Sequence, residues 1–373
     1  MPATYVYLDH NASSPLRSAA FDAMVETLRA GGNPSSVHRS GRRARSIVDK
    51  ARRQVAALIG ALPGEVVFTS GGTEANALAL AGAQATRVIA SAVEHDSVRR
   101  ARPDAETLPV DGNGVVDLAA LERMLAATAA PALVSVMFAN NETGVLQPIG
   151  EVVRLARGAG ALVHCDAVQG AGKAPVDVHG LGVDFVSLSA HKLGGPAGVG
   201  ALFVRSGASL VPDRRGGGQE FNRRAGTENV AGIAGFGAAA EAAVDGLAVG
   251  ALRDHLETSL LAFAPGSKVF GAEVLRLSNT SCISMPGVPA ETQVMSLDLA
   301  GVGVSAGAAC SSGKVQRSAV LAAMGVAAAE GDTAIRVSLG WNSSFEDIER
   351  LIAAWRDLYI RVGYSDIKRA QAA

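Results

Sequence analysis

A chain of 373 residues, 48% hydrophobic and 18% charged, has ample apolar material for a buried core, and its length suits one large domain with a smaller one beside it. Lys and Arg number 34 against 35 Asp and Glu, a formal net charge of -1, which argues against nucleic acid or another polyanion as partner. Three cysteines, Cys165, Cys282 and Cys310, are too few and too scattered for a disulfide framework or a zinc site, so no metal and a reduced, cytoplasmic compartment are expected.

The opening residues Met1-Pro2-Ala3-Thr4-Tyr5 lack the cationic and apolar stretches of a signal peptide, which agrees with a cytoplasmic location. Arg39 precedes a helix predicted over 41–58 and Arg42, Arg43, Arg45, Arg52 and Arg53 fall on it, and the run reads as its solvated face. Short β-rich runs follow at 65–69, 87–91, 132–138, 161–165, 185–188 and 199–204. Helical stretches at 74–83, 118–127 and 149–159 lie between them. Several of these strands are nearly all apolar, as expected for strands covered on both faces. The alternation predicts an α/β fold with a large, mostly parallel sheet wrapped by helices. A small-residue tract at 232–252, interrupted by Glu241 and Asp245, reads as a packed helix and not as a membrane span. Beyond about 250 the pattern changes to a helix at 252–263, β-like runs at 274–284 and 334–338, and a closing helix at 346–359. We therefore expect a large domain over 15–250 and a smaller α+β domain over 251–373, with 1–14 packing alongside the latter.

Three segments place polar chemistry at the ends of strands, where open α/β sheets bind ligands. In Thr69-Ser70-Gly71-Gly72-Thr73-Glu74 a strand runs through a Gly-rich turn into a helix. This is either a phosphate site built from backbone N–H groups or a tight turn capped by Thr73. In Val163-His164-Cys165-Asp166 an acid closes a buried strand, which is costly without a cation beside it. A protonated pyridine nitrogen of pyridoxal phosphate (PLP) is such a cation; a helix cap or internal salt bridge is the plainer reading. In Ser187-Leu188-Ser189-Ala190-His191-Lys192 a third strand ends in hydroxyl, imidazole and amine groups. Lys192 can form a Schiff base with an aldehyde if its pKa is lowered, and Ser189 and His191 can hold a phosphate. The three segments in this order are far more specific than any one of them.

With these motifs the chain resembles the fold-type I PLP enzymes of the class V aminotransferase group, and among them the NifS/IscS-type cysteine desulfurases. The resemblance runs from Tyr7-Leu8-Asp9-His10-Asn11-Ala12 and Gly32-Asn33-Pro34-Ser35-Ser36-Val37-His38 to Ile335-Arg336-Val337-Ser338-Leu339-Gly340. It implies Lys192 as the Schiff-base lysine, Asp166 as the partner of the ring nitrogen and Gln169 as a donor to the ring oxygen. His95 would stack on the ring and act as an acid/base. Gly72, Thr73, Ser189 and His191 would bind the phosphate, and Asn141 would sit near the ring and the substrate carboxylate. Arg336 would clamp that carboxylate through its planar fork. Thr227, in Arg223-Arg224-Ala225-Gly226-Thr227, would reach the phosphate of the other subunit, which implies a homodimer.

Cys310 separates this reading from its rivals. It lies among small residues in Val304-Ser305-Ala306-Gly307-Ala308-Ala309-Cys310-Ser311-Ser312-Gly313, as in a mobile loop, where a thiol can take sulfur from L-cysteine and carry a persulfide to an acceptor or iron–sulfur scaffold protein. Cys165 and Cys282 read as structural. Selenocysteine lyase and class V aminotransferase chemistry are the nearest alternatives, and a non-catalytic iron–sulfur assembly scaffold is a remote one. Two departures from the family's pattern stand out, Asp9-His10-Asn11 in the opening motif and Trp341 after Gly340.

Overall fold

The computed structural model describes residues 5–127, 131–244, 246–309 and 315–372. Its centre is a seven-stranded sheet. In spatial order the strands are Val66–Thr69, Gly200–Val204, Phe185–Ser189, Leu162–Asp166, Ala132–Ser135, Arg87–Ser91 and Glu106–Leu108. All contacts from Phe185–Ser189 onward are parallel, while Gly200–Val204 runs antiparallel to both neighbours. Every residue of Val66–Thr69, Phe185–Ser189 and Gly200–Val204 is buried, as the continuous apolar runs require of strands covered on both faces. The run predicted over 132–138 continues past Ser135 in its bonding: Val136 N–H donates to His164 and Phe138 N–H to Asp166. The edge strand Glu106–Leu108 was not anticipated. Its first two residues are exposed, so it lacks the apolar signature of its neighbours.

On the long helix Arg39–Leu58, Gly41, Ala44, Val48, Ala51 and Val55 recur at spacings of three and four and face the core. One member of the arginine run departs from the expected solvated face. Arg52 is buried, donates to both carboxylate oxygens of Glu220 at 2.7 and 2.8 Å, and lies between the rings of Phe68 and Phe221. A buried guanidinium is tolerated because a second charge and a carbonyl, that of Val66, accept from its two terminal nitrogens. The tract read as one packed helix over 232–252 is two helices, Val230–Glu241 and Gly250–Phe263. The first packs closely on Arg39–Leu58: a Cβ on Gly237 would stand 2.6 Å from Ala51 Cα, so only glycine admits the approach. Helix Ser18–Ala30, also unanticipated, packs chiefly on Val230–Glu241 and buries little beyond Ala20 and Thr27. No helix among the described residues is long and apolar enough to cross a membrane.

A second apolar cluster gathers Val6, Leu8, Leu256, Leu260, Ile283, Ile335, Val337 and Trp355. Its sheet has Ala334–Ser338 between antiparallel Thr280–Ser284 and Ser305–Ala306. Helices Gly250–Phe263, Ala290–Leu299 and Phe345–Ala372 cover it. Of the β-like run at 274–284 only Thr280–Ser284 is strand, since Val274 N–H closes a turn on Gly271. The start of the chain belongs to this cluster: Val6–Tyr7 pairs in parallel with Val302–Gly303, and Asp9 bridges to Ser338. Residues 11 and 12 then reach the carboxyl edge of the large sheet, and this crossing completes the site.

Candidate active site

The carboxyl ends of Leu162–Asp166 and Phe185–Ser189, with the turn after Val66–Thr69, open into a cleft of about 480 Å³. Gly72, Thr73, His95, Asn141, Asp166, Gln169, Ser189, His191, Lys192 and Arg336 all line it. Thr227 does not; it is exposed and outside the cleft of its own chain. Cys310 lies outside the described residues, but Gly307 before it and Arg317 after it line the cleft wall.

Asp166 is buried at its strand end. Its Oδ2 accepts from Asn76 Nδ2 at 2.7 Å and its Oδ1 from Val168 N–H at 3.0 Å, which fixes the carboxylate plane. Asn76 comes from helix Gly72–Gly82, one turn beyond the Gly-rich turn, so a single helix presents both its N-terminus and the amide that orients the acid. Gly72 allows the close approach here, since a Cβ on it would stand 2.7 Å from Val168 Cγ2. Nearby Glu94 is wholly buried. Its Oε1 accepts from Met137 N–H at 2.6 Å and its Oε2 has no partner. Burial first, and the neighbouring Asp166 charge second, push its pKa well above the carboxylate range. Burial thus favours the protonated form of Glu94.

Lys192 Nζ donates to the carbonyls of Asn11 at 2.6 Å and Ala12 at 2.8 Å. Burial and then Arg336 lower its pKa to about 8, with Asp9 and Asp166 opposing. A substantial fraction of the amine is thus neutral, and nucleophilic, just above neutral pH. Burial and the two lysines Lys192 and Lys173 lower His191 to about 4, so its ring is neutral and engages an anion by hydrogen bonding, not by charge. His95 caps helix Asp96–Arg99, its Nδ1 accepting from Ser97 N–H at 3.1 Å; the ring proton is therefore assigned to Nε2.

The opposite wall comes from the smaller sheet. Arg336 is buried on its central strand; Nη2 donates to Asp9 Oδ1 at 2.7 Å and Nη1 to the Asn141 carbonyl at 3.1 Å, while Nε has no partner. Asn11 is the hub that sequence reasoning left without a role. Its side chain donates to Asn141 O and Thr280 Oγ1 and accepts from Lys173 Nζ, and its carbonyl accepts from Gln169 Nε2 and Lys192 Nζ. Its place in the Asp9-His10-Asn11-Ala12 motif was the available signal. Asn76, Glu94 and Lys173 were missed as well; only Lys173, four residues after Gln169, carried a spacing hint. Cys165 and Cys282 are buried, and burial pushes both thiols far above the range in which a thiolate forms.

The donor set fits PLP. It offers a helix N-terminus with a hydroxyl and a neutral imidazole for a phosphate, an oriented acid for a ring nitrogen, and an amine of lowered pKa for an aldehyde. A mostly parallel sheet carrying this constellation at its carboxyl edge defines a fold-type I enzyme. The aminotransferase class-V family matches residues 6–351, and the chain belongs to that family and, within it, to the cysteine desulfurases. It is 44% identical to a cysteine desulfurase of Cereibacter sphaeroides over 93% of this chain and 94% of that one. It is 40% identical to the cysteine desulfurase IscS of Dictyoglomus turgidum, over 92% and 91% respectively. The NifS-like protein of Rickettsia africae has a similar structure, with a TM-score of 0.89 and 35% identity over 95% of this chain and 99% of that one.

Proposed function

We propose that this enzyme holds PLP in the cleft and converts L-cysteine to L-alanine, leaving the sulfur as a persulfide on Cys310. One observation carries the reading: a lysine amine with its pKa lowered to about 8 shares a cleft with an oriented, buried strand-end acid. When bound, PLP supplies an electron sink for the charge that develops at the substrate α-carbon. In this reading Gly72, Thr73, Ser189 and His191 bind its phosphate, and Asp166 keeps the ring nitrogen protonated. His95 stacks on the ring, and Gln169 donates to the ring oxygen. Arg336 and Asn141 orient the substrate carboxylate, the guanidinium exchanging part of its contact with Asp9 for the ligand. Lys192, once free, removes the α-proton and returns it. The Cys310 thiolate attacks the substrate sulfur; the Cβ–S bond breaks, its electron pair and a proton end on carbon, and Cys310–S–SH plus alanine result.

We further read residues 15–250 as the cofactor-binding unit, and 251–373 with 1–14 as the unit that carries Cys310. The sulfur acceptor is read as a protein of iron–sulfur cluster assembly. Thr227, exposed on its own chain, is read as serving the neighbouring subunit of a homodimer. Incubation with L-cysteine and a reductant tests the reaction: alanine and sulfide in equal amounts are expected, and pyruvate or a keto acid without sulfide would overturn it.

A further inference from the structure

Lys173 is buried in the turn after strand Leu162–Asp166, 7% exposed, and is not part of the cleft wall. Among the described residues it has no carboxylate partner: Nζ donates to Gln169 Oε1 at 2.6 Å and to Asn11 Oδ1 at 2.7 Å. A lysine nitrogen in this setting offers hydrogens, so the atom of Gln169 that faces it must be the carbonyl oxygen. That leaves the NH₂ end of the same amide to face Asn11 O, at 2.9 Å, where Gln169 lines the cleft. The Asn11 side chain is fixed by the same nitrogen, and its backbone carbonyl receives both Gln169 and Lys192.

We propose that Lys173 is a positioning residue, which locks the amide of Gln169 with its donor end toward the cleft and seats the Asn11 carbonyl that holds Lys192. Neither bond needs a charge on Lys173, because a neutral amine has two hydrogens for its two acceptors. Burial, with Lys192 and Arg336 nearby, favours that neutral form, and His10 is a further titratable group close to it. Without Lys173 nothing obliges the Gln169 amide to keep its oxygen inward, and a flipped amide presents an acceptor to the cleft. An acceptor there repels the oxygen of any ring bound beside it.

The inference rests on the reading of Gln169 as a donor to the cofactor, so the test has one arm without cofactor. In the apoprotein, amide hydrogen exchange is measured across residues 9–14 for wild type, Lys173→Met and Lys173→Arg. Lys173→Met should exchange faster in this segment and Lys173→Arg, which keeps the donors, should remain close to wild type. Unchanged exchange in Lys173→Met would overturn the seating of Asn11. In the second arm the same proteins are titrated with PLP, and the pH midpoint of the bound cofactor's absorbance is recorded. Lys173→Met should weaken binding about tenfold, the scale of one lost hydrogen bond, and raise the midpoint. A Gln169→Met variant should do the same, and the double variant should be no worse than Gln169→Met alone. Additive effects would show that Lys173 does not act through Gln169 and would sink the proposal. A wild-type protein that takes up no PLP would instead overturn the reading of the site, while the exchange arm still decides the seating of Asn11.

Discussion

The two walls of the cleft are built differently. The wall at the carboxyl edge of the large sheet takes its groups from consecutive strand ends and one helix, so Asp166, Ser189 and Lys192 come from two neighbouring parallel strands and the residues just after them. The facing wall is assembled over long chain separations: Arg336 meets Asp9 across 327 residues and the Asn141 carbonyl across 195. The first wall is a property of sheet topology, and the second depends on the opening segment of the chain reaching from one apolar cluster to the other. Chemistry at the first wall should therefore be lost outright when a group is removed. The second should weaken by degrees, because its groups share partners.

Lys192→Ala breaks the first wall most severely. Turnover should fall by about 10⁴-fold or more, as expected when a covalent catalytic group is lost, while the fold is retained. Borohydride reduction and peptide mass spectrometry check the assignment: in wild type the adduct should be on Lys192 and on no other lysine. Asp166→Ala should cost about 10²- to 10³-fold in kcat, the few kcal/mol of a lost charge-assisted partner, together with weaker PLP retention. Stopped-flow absorbance locates the slowed step, and unchanged turnover would place the acid elsewhere.

At the second wall Arg336→Gln should raise the KM for L-cysteine by about 10- to 100-fold with a smaller fall in kcat, the signature of a lost carboxylate clamp. Asp9→Asn removes the ion pair and keeps the guanidinium, so its KM change should be only a few-fold. Equal effects of the two substitutions would mean that Arg336 serves Asp9 and not substrate.

The smallest effect is a titration. The folded pKa of Lys192, about 8, lies below its unfolded value, so the unfolded chain binds more protons between about pH 8 and 10.5. Stability owed to this group is therefore lowest below pH 8 and rises through that window. In the apoprotein, acylation of Lys192 by acetic anhydride should reach half its limiting rate near pH 8. A midpoint near the ordinary lysine value would contradict a desolvated amine.

Most of the first wall was legible in the sequence because it obeys local rules. Apolar runs mark buried strands, and the polar residues that end them mark the edge where ligands bind. The spacing of Gly72 and Asp166 needed no long-range knowledge. Glu106–Leu108 and helix Ser18–Ala30 were not legible, since an edge strand and a shallow helix bury too little to leave a pattern. Arg52 was misread for a related reason: its run of charged neighbours describes a solvated face, and only the tertiary placement of Glu220, Phe68 and Phe221 makes it a core residue. Asn11 was passed over because its contacts, to Gln169, Lys173, Lys192 and Thr280, lie more than a hundred residues away, and the four-residue spacing of Lys173 from Gln169 acquires meaning only when Asn11 completes the cluster.

The central claim is that sulfur leaves L-cysteine for Cys310, and a single turnover tests it most directly. Enzyme and substrate are mixed without reductant, quenched, digested and weighed by mass spectrometry. Wild type should yield alanine in proportion to sites and one added sulfur on the peptide that contains Cys310. Cys310→Ala should retain PLP and still change colour with cysteine, yet form neither persulfide nor alanine. Alanine production near the wild-type level by that variant, or the added sulfur on Cys165 or Cys282, would contradict the account.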